Sequence, residues 1–181
     1  MIRQITSRSN PRLKALIADR EQYYFFEGEK LVRDLVEKKI PLAILIVNNR
    51  YESQAEELHH QTEEVWLVSE PVFKKLSSLK THSDFLAVVR HQSPEINLAE
   101  QPLIVALDRI QDPANAGTVF RCAAAFGIRT ILLCGESVKP TNPKFIRTAQ
   151  TSLFDLQFQH YPHIHDLINR ARELQLNIYL T

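Results

Sequence analysis

Two short, unbroken aliphatic runs constrain this chain more than any other feature. Leu42–Val47 and Leu103–Leu107 contain no polar residue and are too short for a buried helix. Runs of this kind form strands covered on both faces, which requires helices above and below a largely parallel sheet. The segments around them agree. Tyr23–Phe26, Val65–Val68 and Phe85–Arg90 read as further strands. Asn10–Arg20, Glu29–Lys38, Glu52–His60 and Pro71–Ser77 read as helices, with Asn10 a candidate cap ahead of Pro11. The polar stretch His91–Pro102 shows no period and holds two prolines, Pro94 and Pro102. Beyond it come a helix over Asn115–Phe126 stopped by Gly127, a strand over Thr130–Cys134, helices over Asn142–Ala149 and Ile164–Leu174, and a last strand over Asn177–Leu180. The expected class is α/β.

Composition narrows the function classes. The chain has 181 residues, 44% hydrophobic and 24% charged, with a net charge of +1, which fits one domain or two small ones and excludes disorder. No apolar stretch is long enough to span a membrane, and the N-terminus lacks the apolar core of a signal peptide. Two cysteines, Cys122 and Cys134, make no disulfide framework, so a reducing cytoplasm is the expected location. They read as small core residues. The four glycines, Gly28, Gly117, Gly127 and Gly135, spell neither a dinucleotide fingerprint nor a P-loop. His160, His163 and His165 lack the companions of a metal site, and no metal is expected. His59 and His60 suit a polar helix. Tyr23–Phe26 fits a core strand better than a surface on which bases stack.

Two places invite charged ligands. Between Met1 and Arg20 stand five basic residues, Arg3, Arg8, Arg12, Lys14 and Arg20, against the single acid Asp19. Such an arm is either a solvated terminus or a contact for phosphates. The second place is Asp108–Gly127, DRIQDPANAGTVFRCAAAFG, where a strand end, a tight turn and a helix start follow one another. Ligands of open α/β sheets bind at such strand ends. Small residues from Cys122 to Ala125 permit close packing there, and Arg121 is the helix's only charge. An arginine so placed faces solvent or an anion.

The same segment resembles the first motif of the SpoU (TrmH-type) RNA 2′-O-ribose methyltransferases, of the knotted SPOUT class. Leu107, Asp108, Ile110, Asp112, Pro113, Asn115, Gly117, Arg121, Ala123, Ala125, Phe126 and Gly127 carry the likeness. Ser7–Pro11 and Phe25–Val32 are similar to the family's RNA-substrate-binding domain, an α/β/α sandwich like that of kink-turn-binding ribosomal proteins. Asn142, Pro143, Lys144, Ile146 and Arg147 match a further family segment. Ala149 and Thr151 depart from it, where the family commonly has Ser and Gly.

The resemblance implies an RNA substrate-binding domain over 1–91, a linker over 92–102, and over 103–181 the N-terminal part of a methyltransferase domain. The implied activity is S-adenosyl-L-methionine-dependent 2′-O-methylation of ribosomal RNA or tRNA. Arg121 and Asn115 are the implied catalytic residues. Arg8, Asn10, Lys14, Lys30, Lys144 and Arg147 are the candidate RNA contacts, and a full-length form is expected to be a homodimer. The family's Gly-x-Glu and Ser-Leu-Asn motifs, which form the knot and hold the cofactor, do not occur within these residues. No cofactor-binding residue is therefore assigned, and a catalytically inactive RNA-binding member is the alternative reading.

Overall fold

A computed structural model describes the chain except residues 59, 60, 80–82, 92, 93 and 181. The helix expected over Glu52–His60 is described as Glu52–Leu58, and His59 and His60 lie outside the described residues. The chain divides into two compact units, Met1–His91 and Gln92–Thr181.

Unit 1 is built on strands β1 (Ile2–Ile5), β2 (Tyr23–Glu27), β3 (Leu42–Asn48), β4 (Thr62–Val68) and β5 (Phe85–Arg90), in the order β1-β4-β3-β5-β2. β1, β4 and β3 run parallel, and β5 is antiparallel to both β3 and β2. Helices α1 (Pro11–Ala18) and α4 (Glu70–Leu76) place Leu13, Leu16, Val72, Phe73 and Leu76 on one face, against Phe25, Ile46, Trp66 and Leu86. Helices α2 (Glu29–Glu37) and α3 (Glu52–Leu58) bury Val32, Leu35, Ala55 and Leu58 and pack against β2, β3, β4 and β5. Tyr24, Phe25 and Phe26 are core residues, whereas Tyr23 is half-exposed. Strand β1 was not legible as a strand, because Ile2 and Ile5 do not alternate. Its pairing with β4 is reinforced by Arg3, whose Nε donates to Glu64 Oε2 at 3.1 Å.

Unit 2 has the strands β6 (Ile104–Asp108), β7 (Thr130–Cys134) and β8 (Gln157–Tyr161), all parallel, in that order. Helices α5 (Pro113–Ala125) and α6 (Pro143–Ala149) pack together on one side, where the Phe120 ring meets Phe145 at 4.9 Å and Phe158 at 5.3 Å. Elsewhere α7 (Ile164–Glu173) sets Leu167 against Leu132 and Cys134, and Ile96 and Leu98 join the same cluster. So part of the polar stretch His91–Pro102 contributes two apolar residues to a core.

The strand expected over Asn177–Leu180 is absent from the structure. Those residues are irregular, and Ile178, Tyr179 and Leu180 are 44%, 83% and 91% exposed. The third strand is β8, upstream. Helix α7 closes at Leu174, and Gln175 turns the chain with a φ of 56°, so the following apolar residues never reach the sheet.

Candidate functional site

Asp112 starts α5 by accepting hydrogen bonds from the backbone N–H groups of Ala114 and Asn115, both at 2.8 Å. Pro113 occupies the first helical turn, where a missing N–H costs nothing. The helix therefore begins two residues before Asn115. Those two backbone bonds and the nearby Lys144 ammonium hold the Asp112 carboxyl below the usual carboxylate range. Helix α6 is started in the same way by Asn142, whose Oδ1 accepts from Lys144 N at 2.9 Å and Phe145 N at 3.3 Å. Lys144 Nζ then lies 3.6 Å from Asp112 Oδ2 and ties the two helix starts together.

The two helices approach very closely. A Cβ on Gly117 would lie 2.6 Å from Thr148 Cβ and 2.9 Å from the backbone N of Ala149. Only glycine fits there. The small residues Cys122 and Ala125 do not serve this packing, since both are exposed. Cys122 is thus a surface thiol rather than a core residue, while Cys134 is fully buried. Burial, with the Asp108 carboxylate nearby, pushes the Cys134 thiol up to about 11.

The outward face of α5 carries Asn115, Thr118, Arg121, Cys122 and Ala125, continued by Phe126, which is 83% exposed. Asn115 and Arg121 are six residues apart, so about 9 Å along the axis and about 120° around it. They border this face rather than touch. Arg121 makes no ion pair or hydrogen bond among the described residues, nor does Arg147, one turn beyond Lys144. Arg121, Asn115, Lys144 and Arg147 thus all lie on the α5–α6 pair of unit 2.

Of the basic arm in unit 1, much is structural. Arg3 and Arg12 both reach Glu64, at 3.1 and 3.4 Å. Arg20 stacks on Phe25, 4.4 Å from the ring centroid, and donates to the Leu76 carbonyl. Asn10 caps α1 by accepting from Arg12 N at 2.9 Å. Arg8 and Lys14 remain exposed and without ion pairs among the described residues, and so does Lys30 at the start of α2. At the same end of the sheet as Lys30, buried Glu27 accepts from Ser77 Oγ at 2.6 Å and from Ser78 N at 2.7 Å, holding the segment after α4 beside Gly28. Glu27 was missed from sequence because a glutamate ending a strand reads as solvated.

At the carboxyl ends of the unit 2 strands, polar groups engage one another. Asp108 pairs with Arg109 at 3.1 Å, Ser137 Oγ donates to the Cys134 carbonyl at 2.7 Å, and His160 Nε2 meets the Gly135 carbonyl at 2.7 Å. Among the described residues, no three His, Cys, Asp or Glu side chains converge as metal ligands.

The mixed sheet of unit 1 and the parallel sheet of unit 2, each with helices packed on it, define an α/β protein. Residues 102–181 match the SpoU rRNA Methylase family, and residues 18–87 match the MRM3-like substrate binding domain. An uncharacterised tRNA/rRNA methyltransferase of Synechocystis is 30% identical over 70% of this chain and 47% of its own length. The 23S rRNA (guanosine(2553)-2′-O)-methyltransferase of Bacillus subtilis is 27% identical over 86% of this chain and 64% of its own length. The crystal structure of an rRNA methyltransferase from Sinorhizobium meliloti superposes with a TM-score of 0.76 at 25% identity, covering 94% of this chain and 69% of that one. A structure of an rRNA methyltransferase from the same organism, with AdoMet bound, gives 0.77 at 24% identity, covering 96% and 69%. The chain belongs to the SpoU/TrmH family, whose members are RNA 2′-O-methyltransferases. It spans about half to two thirds of the length of these two curated relatives.

At the strand ends Asp108, Ser137 and His160 are each paired within the chain.

Proposed function

We propose that this chain acts in S-adenosylmethionine-dependent 2′-O-methylation of ribose in ribosomal RNA or tRNA. In this reading residues 1–91 bind the RNA substrate, 92–102 link, and 103–181 carry the transfer site. Arg121 and Asn115 form that site, and Arg8, Asn10, Lys14, Lys30, Lys144 and Arg147 hold the RNA backbone. The observation that carries the reading is Arg121, a guanidinium with no ion pair or hydrogen bond among the described residues and the single charge on the outward face of α5.

A guanidinium does not give up its proton in proteins, so Arg121 is not a general base. Its role is electrostatic. It grips the phosphate next to the target ribose, fixes the direction of the 2′-hydroxyl and stabilises the negative charge that develops as that oxygen takes the methyl group and passes its proton to solvent water. Asn115, with its backbone held by Asp112, presents an amide that can donate to the ribose and accept from it. Lys144 and Arg147 follow one another along α6 and suit consecutive phosphates. The protein assembles as a homodimer, and the exposed free thiol of Cys122 suits a reducing cytoplasm.

The test is methyl incorporation from labelled S-adenosylmethionine into ribosomal RNA, beside a gel-shift measurement of RNA affinity. Arg121→Ala is expected to abolish transfer and leave RNA affinity largely intact. Wild-type turnover by that variant removes Arg121 from the mechanism. RNA binding without transfer by the unaltered chain favours the second reading, an RNA-binding member without catalysis, which the mutually paired polar groups at the strand ends support.

A further inference from the structure

Unit 1 has a cleft at the end of its sheet opposite Lys30 and Arg8, where β3 and β4 begin and β5 ends. Helix α1, 8 residues long, and its C-cap Asp19 form one side of this cleft. The cleft, about 230 Å³, has a floor of Tyr23, Ile44 and Trp66. Its walls carry Arg12 and Asp19 from α1, Glu63 and Glu64 from β4, and Arg90 from β5. That volume lies below the roughly 300–1,000 Å³ of pockets for drug-sized ligands, so it suits one planar fragment.

The charged groups differ in how far they are engaged. Glu64 is occupied: Trp66 Nε1 donates to it at 2.8 Å, and Arg3 and Arg12 pair with it. Arg90 pairs with Glu63 at 2.7 Å and sits 6.0 Å from the centroid of the Tyr23 ring. The Asp19 carboxylate makes no hydrogen bond or ion pair among the described residues, and Glu63 keeps an oxygen free of Arg90. The cleft therefore combines a half-exposed aromatic ring, acceptor carboxylates, and arginines at its rim.

We propose that this cleft binds an unpaired guanine of RNA. The base would stack on Tyr23, and its phosphate would lie outside on Arg12 and Arg90. Guanine alone among the four bases presents two adjacent N–H donors on its Watson–Crick edge, which match the two oxygens of the Asp19 carboxylate. Adenine and cytosine set a ring acceptor beside their amino group, and uracil flanks its N–H with carbonyls, so each would bring a lone pair against Asp19 or Glu63. The proposal rests on the RNA reading for the source of the base, but its test does not involve methyl transfer.

Trp66 is the chain's only tryptophan and lines the cleft, so its fluorescence reports occupancy directly. Titration of the 181-residue chain with GMP is expected to change its emission saturably, with AMP, CMP and UMP binding about tenfold more weakly, as for one bidentate contact. Asp19→Asn together with Glu63→Gln should erase that preference. Tyr23→Ala should weaken all four nucleotides, and each variant's emission before titration checks its fold. No response to GMP, equal affinity for all four, a response to inorganic phosphate matching GMP, or one to arginine instead of GMP would each overturn the assignment. Failure here leaves the transfer site on α5 untouched, and failure of methyl transfer leaves the cleft untouched.

Discussion

Gly117→Ala tests whether the α5–α6 contact is as close as the structure has it. Two effects oppose each other. Alanine is favoured over glycine inside a helix by about 0.8–1.0 kcal/mol. Against that, the new methyl would sit 2.6 Å from Thr148 Cβ, where carbon atoms pack best at about 3.5–4.0 Å. The helices must therefore separate by about 1 Å. Thr148 could turn its outer atoms, but Ala149 N is backbone at 2.9 Å and moves only with α6 itself. Overpacking of this kind costs about 1–3 kcal/mol. Because backbone is involved the upper part of that range applies, and the net expectation is about 1–2 kcal/mol of destabilisation. For a unit of this size each kcal/mol lowers Tm by about 4–8 °C. Circular dichroism follows both units, whereas Trp66 fluorescence follows unit 1, so the shift is sought in the part of the melt that fluorescence does not report. Adding Thr148→Gly removes the side-chain clash and leaves the backbone one, and should restore only part of the loss. An unchanged or raised Tm in Gly117→Ala would refute the close approach.

Three further outcomes follow from single residues. Gln150 holds φ 54° and ψ −140°, a region that side chains disfavour; Gln150→Gly should raise the Tm of unit 2 by relieving about 1 kcal/mol, and a lower Tm would show that the strain is absent. Glu64 is held below the usual carboxylate range chiefly by the Trp66 indole N–H and also by Arg3 and Arg12; a lowered folded pKa contributes stability above the unfolded value of about 4.3 that is lost as pH falls through the folded one. Melting curves from pH 7 to 3 should therefore converge for wild type and Glu64→Gln at the acid end, and parallel curves would refute the linkage. A thiol reagent at neutral pH should label Cys122 quickly and Cys134 only on unfolding, since Cys134 is buried and its thiol raised to about 11; equal labelling of both would contradict the packing of β7.

The sequence announced its central strands most directly and misjudged burial at an edge: Leu103–Leu107 reads as covered on both faces, but β6 is an edge strand, only half-buried, with the preceding Leu103 56% exposed. Leu42–Val47 and Thr130–Cys134 are central in their sheets, and an unbroken apolar run is their direct consequence. β1 and β8 are edge strands, half in contact with water, and β8 reads Gln-Phe-Gln-His-Tyr, a polar alternation with one fully apolar member. The opposite error, at Asn177–Leu180, has the same root: local apolar character indicates a strand only when a neighbour offers a ladder, and the turn at Gln175 leads the chain away from one. The candidate site was legible as chemistry and illegible as geometry. Asp112, Asn142 and the glycine at 117 carry local signals, two caps and a missing Cβ. That Lys144 reaches Asp112, and that Gly117 answers to Thr148 about thirty residues on, are properties of two helices packed together. The same limit governed the basic arm. Charge counting treated its five cations alike, but three of them, Arg3, Arg12 and Arg20, meet Glu64 or Phe25 across the fold. Arg8 and Lys14 keep their charge exposed, and a phosphate contact from this arm outside the cleft beside Arg12 is to be sought at those two first.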